Sequence, residues 1–166
     1  MAYSILSGLS RITYNYKDKY LATASYRIDG SSKFGPERRW GNFPSFSLAY
    51  KLSEEEFMQN LPSLSFLKIR GGWGKLGNQS ILPYQYTTTI FMEGNNYLFG
   101  QNEDVYIGYL PNGTSNEAVQ WETTTQTNLG VDMGFFANKL TLSLDYFHKK
   151  TTDLLMQAPH PLFSGV

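Results

Sequence analysis

Cysteine is missing from this sequence of 166 residues, so disulfide bonds, thiolate metal sites and cysteine nucleophiles are excluded. An excess of one charge is missing too, because 14 basic residues balance 14 acidic ones. We therefore expect no nucleic-acid partner. No window reaches the roughly 18 apolar residues that a membrane-spanning helix needs, which excludes a helical membrane protein. The N-terminal stretch MAYSILSGLSRITY also lacks the basic, apolar and small-residue regions of a signal peptide.

Groups that carry catalysis or bind metals are scarce. The two histidines, His148 and His160, have no carboxylate cluster nearby, so we expect no metal site. The stretch GGWGKLGN (71–78) lacks the spacing of a phosphate-binding loop, and its glycines are better explained by close backbone packing. No Ser/His/Asp set or nucleophile elbow is recognisable, so we expect neither an enzyme nor a cofactor. The adjacent Glu54, Glu55 and Glu56 are expected to form a solvated face.

Aromatic residues are abundant, with 12 Tyr, 11 Phe and 3 Trp, although only 41% of the chain is hydrophobic. They lie in segments that alternate apolar and polar residues, the period of a β-strand with two different faces. Clear alternation covers 11–16, 20–29, 45–52, 67–74, 126–135 and 140–146. Two further strands are predicted at 84–92 and within 97–109, with Gly94-Asn95-Asn96 as a turn. The sequence therefore predicts an all-β antiparallel, up-and-down meander of about eight strands.

The connections between these strands alternate in length. Short ones are KDK (17–19), EGNN (93–96), ANK (137–139) and SEEEFMQNLPS, in which the spacing of Ser53 and Glu56 predicts a capped helical turn. Longer ones are GSSKFGPERRWGN (30–42), KLGNQSILP (75–83) and YLPNGTSNEAVQ (109–120). Short turns at one end and long loops at the other are typical of outer-membrane barrels.

Two architectures fit this alternation. In a membrane barrel the apolar face meets lipid, the polar face meets a wet interior, and aromatics gather near the strand ends, as Tyr14, Tyr16, Tyr20, Phe135 and Phe136 do. In a soluble antiparallel sheet the apolar face packs on a second layer. Alternation alone leaves a membrane barrel and a soluble β-rich binding or structural module both open. A barrel-embedded hydrolase is a more distant alternative.

Long local strings separate these alternatives. Residues 14–58, from YNYKDKYLATASYRIDG to LSEEEFM, resemble a hairpin, loop and strand of the SusC/RagA-like TonB-dependent transporters. LKIRGGWGKLGNQ (67–79) resembles the next strand, and QWETTTQTNLGVDMGFFANKLTLSLDYFHKKTTDLL (120–155) resembles a later hairpin. The resemblance leaves about 80–119 unsupported. It implies that residues 1–166 are a partial barrel domain, from the C-terminal half of a larger transmembrane barrel without its signal peptide, plug or TonB box.

The resemblance also implies a function and partners. It implies active import of oligosaccharides or peptides across the outer membrane of a Gram-negative bacterium, with a SusD-like surface lipoprotein as partner. Contact with the TonB complex would run through an N-terminal region that this chain lacks. Outer-membrane lipid and lipopolysaccharide would surround the barrel.

The candidate substrate-binding residues are of two kinds. Arg27, Asp29, Lys68 and Arg70 are charged residues on the predicted inward face. Arg38 and Trp40 lie on the predicted loop, where cationic and aromatic side chains either contact sugars or lipopolysaccharide phosphates, or only pack the loop onto its neighbours.

Overall fold

A computed structural model describes residues 2–58, 63–91, 96–99, 104–112 and 115–156. The strands are β1 Ile5–Tyr16, β2 Tyr20–Ser31, β3 Trp40–Lys51, β4 Leu64–Asn78, β5 Thr89–Phe91, β6 Asn96–Phe99, β7 Asp104–Ile107, β8 Leu110–Asn112, β9 Glu122–Phe135 and β10 Leu140–Thr152. The six long strands, β1–β4, β9 and β10, form one antiparallel sheet in that order, and two two-stranded sheets pair β5 with β8 and β6 with β7.

The all-β, up-and-down fold is confirmed, but the strand count of the meander is wrong. β4 pairs directly with β9 from Leu64–Phe135 to Asn78–Glu122, so the two strands predicted at 84–92 and 97–109 do not enter the sheet. That region instead contributes the two short two-stranded sheets inside the connection 79–121. Of the predicted turn Gly94-Asn95-Asn96, Gly94 and Asn95 lie outside the described residues, and Asn96 begins β6. The sheet is open, with β1 and β10 at its edges.

Strand directions give the sheet two unlike ends. The turn end holds the connections 17–19, 52–63 and 136–139, and the loop end holds 32–39 and 79–121. Lys17 and Asp18 adopt positive φ values of 53° and 54° in the first turn, where Asp18 N–H donates to Asn15 Oδ1 at 3.1 Å. The predicted asymmetry between short turns and long loops holds for 17–19, 136–139 and 79–121, but the turn-end connection 52–63 is longer than the loop-end connection 32–39.

The helical turn predicted at SEEEFM differs from the structure. Two 3₁₀ turns, Leu52–Glu54 and Glu56–Met58, replace it. Ser53 lies inside the first turn rather than at its cap, and its buried Oγ has no hydrogen-bond partner among the described residues. The predicted capping box is therefore wrong.

Register divides the sheet into two chemically different faces. On the apolar face, one row runs Tyr14, Ala22, Leu48, Gly71, Leu129 and Tyr146 across all six strands. On the polar face, the neighbouring row runs Thr13, Thr23, Ser47, Gly72, Asn128 and Phe147. Ile12, Leu48 and Leu144 are 69%, 58% and 57% exposed, so no second layer among the described residues covers the apolar face.

The buried core is small and lies at the loop end. Phe34, Phe43 and Trp121 are its buried hydrophobic residues among those described, and Ile81, Val119 and Leu155 pack against them. The β3–β4 ladder ends at Ser45–Gly74 although both strands continue toward the loops. Pro44 has no N–H to donate at the next position, which suits a point where two strands part. The sheet therefore forks there, and Phe43 lies at the fork.

Within the part of the chain that the structure describes, no helix is long and apolar enough to cross a membrane.

Candidate functional site

The polar face is the candidate site, and its middle is a band of hydroxyl and amide groups. Ser25 Oγ and Ser45 Oγ lie 2.7 Å apart across β2 and β3, and Thr124 Oγ1 and Thr151 Oγ1 lie 3.0 Å apart across β9 and β10. Gln126 donates through Nε2 to Asn128 Oδ1 at 2.9 Å. Short polar side chains that bond to one another keep this surface wettable without adding charge.

Charge is concentrated toward the turn end of the polar face, around Arg70. Arg70 Nε donates to Asp132 Oδ2 at 3.1 Å, and Arg70 Nη2 donates to Asp145 Oδ2 at 2.8 Å. Ser143 Oγ donates to Asp132 Oδ1 at 2.9 Å. Lys68 lies directly opposite Asp132 in the β4–β9 ladder. Arg70 therefore ties three strands together, with β4 bound to both β9 and β10.

A groove of about 310 Å³ lies beside this charge network. The groove forms because β2, β3, β4 and β9 contribute small residues there, whose side chains leave open space. Among them are Thr23, Ser47, Ala49, Gly72 and Gly130. Lys68 and Arg70 also line the groove, so one side of it is cationic. The arrangement offers hydroxyl groups and positive charge to a polar solute.

A second ion pair, Arg27–Asp29, lies on the same face but near the loop end. Arg27 Nε donates to both carboxylate oxygens of Asp29 at 2.7 and 2.8 Å. Asp29 is buried, while Arg27 stays exposed. In the β2–β3–β4 ladders, Arg70 aligns with Leu21, six residues from Arg27, or about 20 Å along the strand. The four predicted inward charges therefore form two separate groups rather than one site.

The predicted loop candidates, Arg38 and Trp40, both line a pocket of about 480 Å³ at the loop end. Arg38 hydrogen-bonds to Gln120, which ties the loop 32–39 to the segment before β9. Trp40 starts β3 on the apolar face, and its ring lies within 2.7 Å of where a Cβ on Gly30 would stand. Trp40 thus points away from the polar face that carries Arg27.

Aromatic packing fixes the loops over this end of the sheet. Trp121 lies 5.1 Å from Phe34 and 5.4 Å from Phe43, measured between ring centroids. Trp121 Nε1–H donates to the Arg39 carbonyl at 3.0 Å, and Lys33 Nζ donates to the Gln79 carbonyl at 3.3 Å. These contacts join the loop 32–39, the start of β3 and the connection 79–121. They favour the interpretation that the loop 32–39 packs onto its neighbours.

At the turn end, Glu55 is held by three side chains. Tyr50 Oη donates to Glu55 Oε1 at 3.0 Å, Tyr20 Oη donates at 3.4 Å, and Lys19 Nζ lies 3.4 Å from Oε2. The Tyr50 hydrogen bond, aided by Lys19, lowers the pKa of the Glu55 carboxyl below its usual value. The expected solvated face therefore fits Glu54 and Glu56, which are exposed, but is wrong for Glu55.

Tyrosines border the apolar face at this end, as predicted for Tyr14, Tyr16 and Tyr20. Tyr14 and Tyr16 stack with ring centroids 6.5 Å apart, and Tyr20 stacks on Tyr50 at 4.8 Å. Tyr16 and Tyr20 join the two pairs at 6.2 Å. A row of rings with one apolar side and one polar tip is suited to a boundary between oil and water.

Sequence reasoning missed several residues that complete these arrangements. Asp132 and Asp145 were visible only as polar positions in an alternating hairpin, and Trp121 lies outside any predicted strand. Only the register that brings β4 beside β9 reveals their partners. Among the described residues, no group of three or more His, Asp or Glu side chains is arranged to hold a metal ion.

Comparison with known proteins identifies relatives for nearly the whole chain. The family model described as "TonB dependent receptor-like, beta-barrel" matches residues 8–165. The chain is 38% identical over 163 residues to TonB-dependent receptor P39 of Formosa agariphila, covering 98% of this chain and 15% of that protein. It is 36% identical over 159 residues to TonB-dependent receptor SusC of Bacteroides thetaiotaomicron, covering 96% of this chain and 16% of that protein.

A solved structure shows the same arrangement of strands. The RagAB peptide transporter superposes with a TM-score of 0.83 at 27% identity, covering 99% of this chain and 17% of the solved chain. The chain thus spans about a sixth of the length of the relatives that it matches.

Proposed function

Because the chain belongs to the TonB dependent receptor-like β-barrel family, we propose that it forms part of the wall of an outer-membrane importer. In this proposal residues 1–166 all belong to one barrel domain. The apolar face contacts lipid, the polar face lines the interior, the turn end faces the periplasm, and the loop end faces the outside of a Gram-negative cell.

The two-faced sheet is the observation that carries the proposal. Apolar side chains continue across all six strands of one face and stay exposed, whereas hydroxyl, amide and paired charged groups predominate on the other face. A soluble sheet would cover its apolar face to gain the burial energy of about 25 cal/mol per Å². A sheet in hydrocarbon gains that energy from lipid, and it needs every backbone group paired within a closed barrel.

The substrate class that we propose is an oligosaccharide or a peptide. The RagAB peptide transporter supports a peptide, and the resemblance to the SusC/RagA-like family implies oligosaccharides as well as peptides. The hydroxyl band and the cationic side of the groove suit either solute, because both carry many hydrogen-bonding groups. Within the proposal, Arg27, Asp29, Lys68 and Arg70 lie along the inner wall, and Arg38 and Trp40 lie at its outer opening.

The partners that we propose follow from the family resemblance. They are a SusD-like surface lipoprotein at the loop end and the TonB complex, which supplies the energy for import. The function is transport without covalent chemistry. In this proposal the interior groups bind and release a solute.

Cysteine labelling tests which face meets lipid, and these 166 residues contribute no native cysteine to the background. The two variants, Leu48→Cys and Ser47→Cys, are made in the protein as the cell makes it. They place a thiol at neighbouring positions on opposite faces of the sheet. In isolated outer membranes, we expect Leu48→Cys to react with a lipid-soluble maleimide and not with a charged one. After solubilisation in detergent, Ser47→Cys should react with the charged reagent.

The same experiment separates the alternative of a soluble β-rich module. A soluble module would appear in the aqueous fraction, and its Leu48 position would either be sealed against a second layer or open to the charged reagent. Rapid reaction of Leu48→Cys with the charged maleimide in intact membranes would rule out the proposed wall. Leu144→Cys and Ser143→Cys on β10 provide a second matched pair.

A further inference from the structure

Charge is nearly absent from the apolar face. Among the six long strands, all of whose residues the structure describes, this face carries only two residues of the types Lys, Arg, Asp and Glu. They are Lys75 on β4 and Lys150 on β10. Both align with Thr125 of β9 in the ladders, so the three residues form one row across three strands.

Neither lysine has an acidic partner, whereas three cations of the described chain do. Arg27 pairs with Asp29, Arg70 pairs with Asp132 and Asp145, and Lys19 pairs with Glu55. Lys75 and Lys150 make no ion pair or side-chain hydrogen bond within the described part of the chain. A cation on a lipid-facing surface is costly unless an anion or water reaches it.

The row lies where the apolar band ends. Along β9, Thr125 is ten residues from Phe135 at the turn end, which is about 33 Å of strand. A barrel strand tilted by about 40° converts that length to a height of about 25 Å, the height of the apolar band of outer-membrane barrels. Trp73 and His148 occupy the row just below the lysines. The ammonium groups therefore reach the level of lipid headgroups.

We propose that Lys75 and Lys150, with the Thr125 hydroxyl between them, bind the phosphate of an outer-leaflet lipid. Strands lie about 4.8 Å apart, so the two lysine Cα atoms are about 10 Å apart and their flexible stems can converge on one phosphate. The site rests on the proposed function, because only a lipid-facing wall brings headgroups to this row. A lipid phosphate is the anion that this position meets from outside the chain.

Lipid titration of the intact protein in detergent micelles, followed by native mass spectrometry, tests the site. Diphosphoryl lipid A is the probe, and the same lipid without phosphate and inorganic phosphate are the comparison ligands. Each lysine near a membrane surface contributes about 1 kcal/mol to anion binding, which is about fivefold in affinity, so Lys75→Gln with Lys150→Gln should weaken binding by about thirtyfold. Lys75→Arg with Lys150→Arg keeps the charge and should retain binding.

The matched control removes two lysines from the opposite end. Lys17→Gln with Lys139→Gln makes the same change in net charge at the turn end and should leave lipid binding unchanged. Equal weakening by both double variants would show unspecific charge attraction and overturn the site, as would unaltered binding by Lys75→Gln with Lys150→Gln. Equally tight binding of inorganic phosphate would overturn the lipid as the source of the anion.

The outcome is distinguishable from failure of the proposed function. If Leu48→Cys is shielded by lipid but Lys75→Gln with Lys150→Gln binds lipid A normally, only the proposed phosphate site is wrong. If Leu48→Cys reacts with the charged maleimide in membranes, the proposal that this chain forms part of a barrel wall is wrong.

Discussion

The ring of Phe43 on β3 lies in the space that a side chain at Gly77 on β4 would fill. Gly41 is equally close, since a Cβ there would stand 2.5 Å from the same ring. The two glycines therefore make room for an aromatic ring at the fork where β3 and β4 part. Without that ring, the fork would leave a gap between two strand ends beneath the loops.

Gly77→Ala should loosen the loop end. Its Cβ would overlap the Phe43 ring, and forcing extra volume into packed space costs about 1–3 kcal/mol. We expect a lower unfolding temperature of the protein in micelles and faster amide exchange at 40–44. Gly8→Ala is the matched control, because a Cβ on Gly8 meets nothing within 4 Å. Equal effects of the two substitutions would contradict the packing of Phe43 at the fork.

Trp121→Phe should free the loop 32–39 while keeping most of the aromatic packing. The Arg39 carbonyl accepts hydrogen bonds from both Trp121 Nε1–H and Ser31 N–H, at 3.0 and 3.1 Å. Losing the indole donor costs about 1 kcal/mol. Amide exchange across 31–39 should quicken. Trp40→Phe, on the exposed apolar face, should leave that exchange unchanged; a comparable change there would show that ring size matters rather than the hydrogen bond.

The strands, and the face of the sheet on which each of their side chains lies, could be predicted because the alternation of apolar and polar residues is a local property of the sequence. The β9–β10 hairpin illustrates this, since Leu142 and Leu144 face one way and Ser143 faces the other within a few residues. The start of β3 at Trp40 was missed because Trp40, Gly41 and Asn42 belong to the polar stretch 30–42 that was predicted as a loop. Those residues join the sheet through the ladder with β2 alone.

The long-range partners could not be predicted in the same way. Arg70 and Asp132 are separated by 62 residues, and alternation says only that each faces the interior. Their pairing depends on β4 lying beside β9, with the connection 79–121 excluded from the sheet. The prediction of two further sheet strands failed there because short alternating runs also suit small hairpins.

Glu55→Gln should weaken the turn end in a pH-dependent way. The carboxylate pKa is lowered mainly by the Tyr50 hydrogen bond, so its stabilisation is complete above the ordinary pKa of 4.5 and is lost as pH falls through the lowered value. Amide exchange across 51–58 should therefore be faster in the variant at neutral pH, and the difference should vanish in acid. Glu54→Gln is the control, since Glu54 is exposed. A difference that persists at low pH would contradict the role of the charge.

Gly130→Ala should break one of the two ion pairs of Arg70, the one with Asp145. Gly130 lies between Arg70 and Asp145 in the ladders, and a Cβ there would stand 2.6 Å from Asp145 Oδ1 and 2.8 Å from Arg70 Cζ. The guanidinium should lose Asp145 and keep Asp132, whose side chain is 23% exposed against 50% for Asp145. Unfolding temperatures in micelles should show that Gly130→Ala and Asp145→Asn are not additive, because both remove the same bond, whereas Asp132→Asn adds a further loss. Additive effects of Gly130→Ala and Asp145→Asn would mean that Arg70 reaches Asp145 by a route that Gly130 does not control.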